Sequence, residues 1–295
     1  MAAEILALYV IYILGLVVLA IGSYTDIKTR EVPDWINFGL IGAGFGINLL
    51  FSILYWKISF VINSIIGFAF FFAIALAMFY TGQWGGGDSK ILMGLGALIG
   101  IDFFSKNFFL LHFIVNSLII GALYGILWSI ISIIRNRKKF YKNFRKKIMD
   151  KKIRKLKSVL FVISITLAVA AFLSSNFFAR LLLSYFALAV IITFYMWIMM
   201  KSVEDSYMLK HVSPEQLTEG DWIANEIIIG GKYITGPKDL GIEKNKIKIL
   251  IALYKKGKLK KVLIKEGIPF VPSFFIAYII TLIFGGIVGS IVSIV

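Results

Sequence analysis

Asp26 and Asp88 are the two carboxylates whose setting in this sequence invites chemistry. Asp88 follows three glycines in YTGQWGGGDSK, after 30 residues, Ile58 to Gly87, without a charge. Asp26 stands in GSYTDIKTREVPDW, where a first apolar stretch gives way to charged residues. Carboxylates at the edge of a membrane span are costly and so point to function. If two such groups approach within about 3–5 Å, both cannot stay ionised, and the pair holds one proton between them. The ionised member could take a proton from water while the protonated member donates to a peptide carbonyl. No metal is needed, and the titration would belong to the pair.

Other chemistries find little support. Without cysteine there is no disulfide framework, thiolate zinc site or cysteine nucleophile. His112 and His211 lie too far apart for metal-ligand spacing. The soluble segment 201–268 carries no phosphate loop, nucleophile elbow or metal motif, and no cofactor and no metal are expected.

The elements that must position the two acids are membrane helices. Mean hydropathy is +0.86, with 59% hydrophobic and 16% charged residues, where soluble domains carry about 25% charged residues. A spanning helix needs about 20 apolar residues. Charge-free runs of that size fall at Ile5–Thr25, Trp35–Trp56, Ile58–Tyr80, Asn107–Ile134, Ser158–Ala179, Leu181–Met200 and Gly267–Val295. Asp88 to Lys106 is a further candidate with a short apolar centre, Ile91–Ile101. The first run has Glu4 in place of a basic flank, and reads as a retained helix. With the N-terminus outside, the inner segments 24–34, 80–90, 135–157 and 201–269 hold 29 of the 32 basic residues, which sets the orientation. The run RNRKKFYKNFRKKIMDKKIRKLK (135–157) reads as a topology anchor lying on anionic lipid headgroups, not as a nucleic-acid site.

The expected fold is an all-α polytopic membrane protein of about 6–8 transmembrane helices with a small α/β cytosolic domain. Its parts are 1–134, a membrane core of five helices; 135–157, a basic cytosolic loop; 158–200, a transmembrane helix pair; 201–268, the α/β domain; and 269–295, a C-terminal transmembrane helix. In 201–268, NEIIIGGKYITG reads as strand and turn, IEKNKIKILIALYKKG as an amphipathic helix and KKVLIKEG as a strand.

On this scheme helix 1 ends near Asp26 and helix 4 begins near Asp88, at one cytoplasmic level. Gly85, Gly86 and Gly87 remove side chains, so an extended peptide could lie against this backbone beside Asp88, with Trp84 packing on it. Lys90 could snorkel to headgroups or balance charge. Structural roles and a proton relay stand beside the dyad: an Asp before an apolar run also caps a helix, and Asp26 near Lys28 and Arg30 is also a solvated turn acid.

The residues now reached resemble the GxGD membrane aspartyl proteases, specifically the type IV prepilin and preflagellin peptidases. Gly85, Gly87 and Asp88, followed by Lys90, match the Gly-x-Gly-Asp motif. DIKTREVPD supplies Asp26, Lys28, Val32, Pro33 and Asp34 for the partner motif at the end of the first helix. The likeness covers residues 1 to about 130, and EGIPFVPSFFIAY (266–278) is similar to the opening of the last helix in these peptidases. It implies a cell-membrane enzyme that cuts the short basic leader from type IV pilin-like or archaellin precursors at the cytoplasmic face, with Asp26 and Asp88 catalytic. Without cysteines or a methyl-donor site, N-methylation is not implied, and the chain looks more like the archaeal branch. The extra 201–268 domain leans toward its prepilin-processing type.

Two further hypotheses are a proton-coupled transporter using the same carboxylates and a non-enzymatic pilus assembly factor. Glu31, Asp34, Glu204 and Asp205 could receive a basic leader; Glu219 and Asp221 could do the same, though a turn within the small domain suits them better. Asn48, Asn63 and Asn116 are expected to make helix–helix hydrogen bonds, His112 to be packed or interfacial, and Trp35, Trp56 and Trp84 to be interfacial anchors.

Overall fold

The computed structural model describes residues 2–102 and 108–286, so Lys106 and the last stretch of the final span, 287–295, lie outside the described residues. Six helices among them are long and apolar enough to cross a membrane: Leu6–Thr29, Asp34–Tyr55, Ser59–Tyr80, Phe109–Arg135, Lys151–Leu173 and Phe177–Met208. This is a multi-pass membrane protein with a small sheet-bearing region. It divides into two compact units, Met1–Ile126 with Gly267–Val295, and Leu127–Glu266.

The first unit is built from α1 (Ala2–Thr29), α2 (Asp34–Tyr55), α3 (Ser59–Tyr80), α4 (Gly86–Ile99), the first turns of α5 (Phe109–Arg135) and α10 (Val271–Phe284). At its centre lies α4, where Ile91, Leu92, Leu95 and Leu98 are fully buried. Its 14 residues rise about 21 Å, short of the roughly 30 Å hydrocarbon layer. The candidate span at 88–106 is therefore a short buried helix, ended by Gly100 at a positive φ (71°).

Glycines seat α4 against its neighbours. A Cβ on Gly44 of α2 would stand 2.7 Å from the Leu98 nitrogen, and one on Gly96 2.5 Å from the Gly67 carbonyl oxygen of α3. Backbones that close bring polar groups into reach. The Asn48 Nδ2 donates to the Leu98 and Ala97 carbonyls at 2.9 and 3.2 Å, and Ser64 Oγ to the Ala97 carbonyl. Asn116 donates from α5 to Thr281 Oγ1 of α10 at 2.9 Å. Two of the three asparagines thus join helices; for Asn63 it is the main-chain carbonyl that accepts, from the Ile101 amide. Asn48→Leu removes two donors to α4 and leaves the Ala97 carbonyl to Ser64 alone, and is expected to lower stability by about 1–2 kcal/mol, read as a lower Tm in detergent.

The second unit holds the basic stretch and the α/β domain. The stretch expected as a loop is helical: α6 (Arg137–Met149), then α7 (Lys151–Leu173). Phe140, Phe144 and Ile148 recur every fourth residue and give α6 an apolar stripe. Asp150, whose carboxylate accepts the Lys152 and Ile153 amides at 2.9 and 3.3 Å, caps α7 and separates the two. The region 158–200 is a true helix pair, α7 turning at Ser174 to Asn176 into α8 (Phe177–Val203).

Strands β1 (Leu209–Val212), β5 (Val262–Lys265) and β2 (Trp222–Ile223) form an antiparallel sheet in the order β1-β5-β2. β3 (Ile227–Ile229) and β4 (Lys232–Thr235) pair as a hairpin through Gly230 and Gly231, both at positive φ. Ile247 and Leu250 of α9 (Lys244–Lys255) bury against Ile223, Val262 and Ile264.

Candidate active site

Asp26 opens the last turn of α1 and is 5% exposed. Its Oδ2 accepts the main-chain amide of Val271 at 3.0 Å, across 245 residues of sequence. Val271 is the first residue of α10, so this carboxyl occupies the positive end of another helix. The likeness of 266–278 to a family element gave no hint of that contact.

Asp88 sits at the third position of α4, and its Oδ2 accepts the Gly85 amide at 3.0 Å. The expectation of an Asp N-cap is thus off by three residues: Gly85 holds the cap position and Asp88 reaches back to it, the reciprocal half of a capping box.

The two carboxyls come from adjoining helix ends of one unit. Gly22 precedes Asp26 by one turn, and Ile91 follows Asp88 by nearly one. A Cβ on Gly22 would lie 2.9 Å from Ile91 Cδ1, so α1 and α4 touch beside both acids. Val32 fills the space between them, near both Gly22 and Gly87. Its loop is held by Asn37, whose Nδ2 donates to the Val32 carbonyl at 3.2 Å, and by Arg30 in a left-handed conformation. Asp26 is close enough to act electrostatically on Asp88.

The glycines are used differently from the expected loop. Gly86 and Gly87 form the first turn of α4, and none of Gly85, Gly86 and Gly87 has positive φ. What they supply is absence of bulk: a Cβ on Gly85 would stand 3.3 Å from Asp88 Oδ2. This turn is also tethered. Ser89 Oγ reaches the Ala75 carbonyl of α3 at 3.4 Å, and Lys90 pairs with Asp34 of α2 while its ammonium stands 5.1 Å above the Phe38 ring.

Trp84 is neither an interfacial anchor nor an open surface for a ligand. It is 5% exposed and packs edge-on against Phe274 at 5.2 Å, in the aromatic core under α10. Trp35 and Trp56 are exposed, as interfacial anchors would be. Pro33 caps the start of α2, Lys28 lies over the Tyr24 ring at 5.7 Å, and Glu31 is exposed. Among the other acids, Glu204 pairs with Lys201 and Lys265, and Asp205 with Lys147. Asp221 takes the Thr218 amide, a turn within its own domain. Arg30 and Tyr124, both within electrostatic reach of Asp26, had no part in the sequence-based site. Nothing local to α5 marks Tyr124, because only the packing of its helix brings it there.

Residues 13–126 match the Type IV leader peptidase family. The preflagellin peptidases of Methanocaldococcus jannaschii and Methanococcus maripaludis are 40% identical over 88 residues and 42% identical over 90 residues. That of Methanococcus voltae is 42% identical over 88 residues. Each aligned stretch is 30% of this chain and 37% or 38% of the relative. The chain thus spans little more than a third of the length of the curated relatives it matches. No solved structure matches. The family named by the two sequence motifs is the family that matches, and both acids fall inside the matched residues.

Proposed function

We propose that this chain is a membrane aspartyl endopeptidase that removes the short basic leader of an archaellin or type IV pilin-like precursor, activating water between Asp26 and Asp88. What supports it is that α1 and α4 touch at Gly22 and Ile91, about one turn from each acid, inside the segment similar to type IV leader peptidases. One carboxyl takes a proton from water, whose oxygen adds to the scissile carbonyl carbon as the other carboxyl protonates the carbonyl oxygen. Collapse of the tetrahedral adduct passes a proton to the leaving amine. The names of the relatives favour an archaellin-type substrate over the pilin-type one that the extra domain suggested.

The basic residues flanking the spans support a cytoplasmic position for this end of the unit. An apolar groove of ≈ 240 Å³ between α1 and α2, lined by Leu14, Val18, Ile21, Ile36 and Leu40, offers a berth for the precursor's hydrophobic helix. A proton-coupled transporter is disfavoured because Asn48, Ser64 and Asn116 already bond to neighbouring helices and form no relay toward the acids.

The direct test is cleavage of an archaellin or pilin precursor in detergent by the protein and its single Asn variants at the two acids. Leader recognition has its own readout. Asp34 shares its charge with Lys90 and is well exposed, so charge reversal at Glu31 and Asp34 together should raise KM for a basic leader only about two- to fivefold, with kcat kept. An unchanged KM removes both residues from leader binding.

A further inference from the structure

We propose that the hairpin of α7 and α8 binds one anionic phospholipid from the surrounding membrane, with an acyl chain in the groove between the helices and the phosphate at Lys152 and Lys201. The groove measures ≈ 480 Å³ and is lined by Leu156, Leu160, Phe186, Val190, Phe194 and Trp197 among others. Leu156, Phe186 and Trp197 remain 43%, 53% and 45% exposed, so the described residues of this unit leave the groove open.

Its charged end follows from helix geometry. Lys152, Leu156 and Leu160 recur every fourth residue on α7, and Thr193, Trp197 and Lys201 on α8, so each lysine stands one turn beyond the lining. The register of the hairpin puts them at the same end. Ser164 Oγ bonds the Ala187 carbonyl at 2.8 Å, and Lys157 stands 5.9 Å over the Tyr195 ring, an antiparallel alignment that sets Lys152 opposite the last turn of α8.

That end is strongly positive. Lys152 is exposed and has no ion-pair partner among the described residues. Lys201 shares Glu204 with Lys265, two cations on one carboxylate. In the same unit the exposed Arg137, Lys138, Lys142, Arg145 and Lys146 of α6 add to the field. An apolar trough with basic residues at one mouth fits a phospholipid of negative headgroup, whereas nucleic acid has no use for the trough. Trp197, a turn below Lys201, stands where an interfacial aromatic belongs.

The test is native mass spectrometry of the protein in detergent, titrated with phosphatidylglycerol or phosphatidylcholine of matched chains. One phosphatidylglycerol should be retained in preference to phosphatidylcholine. Lys152→Ala should weaken it about fivefold, the effect of one cation near an anionic headgroup. Ala189→Trp, which fills the groove, should expel it. Phosphatidylglycerol with brominated chains should quench tryptophan emission saturably, and Trp197→Phe should remove that component. Equal retention of the two lipids, or phosphatidylglycerol binding unchanged in both Lys152→Ala and Ala189→Trp, overturns the proposal.

Discussion

Asp26→Asn and Asp88→Asn each reduce precursor cleavage by at least about 10³-fold, while the protein still inserts and melts close to the parent temperature. Asparagine is the informative replacement because each acid has a structural duty beside the proposed chemical one. The Asp26 oxygen caps α10 through the Val271 amide, and the Asp88 oxygen caps α4 through the Gly85 amide. An asparagine carbonyl oxygen can still accept those amides, so capping survives, and the stability change should stay within about 1 kcal/mol. What asparagine cannot do is take or give the proton. Asp26→Ala and Asp88→Ala would remove both duties and so could not separate them. Parent-like cleavage by either Asn variant would make that carboxyl a cap and nothing more. Loss of cleavage with a matching fall in Tm would point the same way. If the acids share one proton as proposed, cleavage should also follow a bell-shaped pH profile with two apparent pKa values that belong to the pair.

The spans, the paired motifs and the α/β segment were legible because each leaves a local signature. Those signatures are long apolar runs, DIKTREVPD and GGGDSK at helix ends, and, from 225 to 265, two strand-like runs around an amphipathic helical one. The partners that fix the acids were not. Asp26 meets an amide 245 residues away, and Asp88 takes the amide of its helix's cap residue, Gly85, only because the helix starts at Gly86. Trp84 has an interfacial spacing in the sequence, yet it is drawn into the core by Phe270 and Phe274 of the last helix. Asp34, open by sequence, is held by Lys90 of another helix. The basic stretch 135–157 read as a loop because its charge hid the fourfold recurrence of Phe140, Phe144 and Ile148. The short reach of α4 follows from its burial on several sides, which charge counting does not register.

That burial leads to the other large expected effect, a contrast between two glycines on one helix. Gly44→Leu should cost about 3 kcal/mol or more and abolish cleavage, whereas Gly46→Leu should leave both stability and activity intact. On Gly44 the first side-chain carbon would stand 2.7 and 2.8 Å from main-chain atoms of Leu98 and Ala97. Those atoms belong to the last turns of α4, whose opposite side lies as tightly on Gly67 of α3, so the helix cannot retreat. A Cβ on Gly46 meets nothing within 4 Å, and leucine there should gain about 0.8 kcal/mol of helix propensity over glycine. Because Gly44 packs far along α4 from Asp88, lost cleavage in its variant would come from displacing the helix that carries the acid. Thermal unfolding in detergent and precursor cleavage, measured on the same preparations, read the two consequences together. If Gly44→Leu behaves like Gly46→Leu, α4 is not clamped between α2 and α3, and the positioning of Asp88 must rest on its tethered first turn alone.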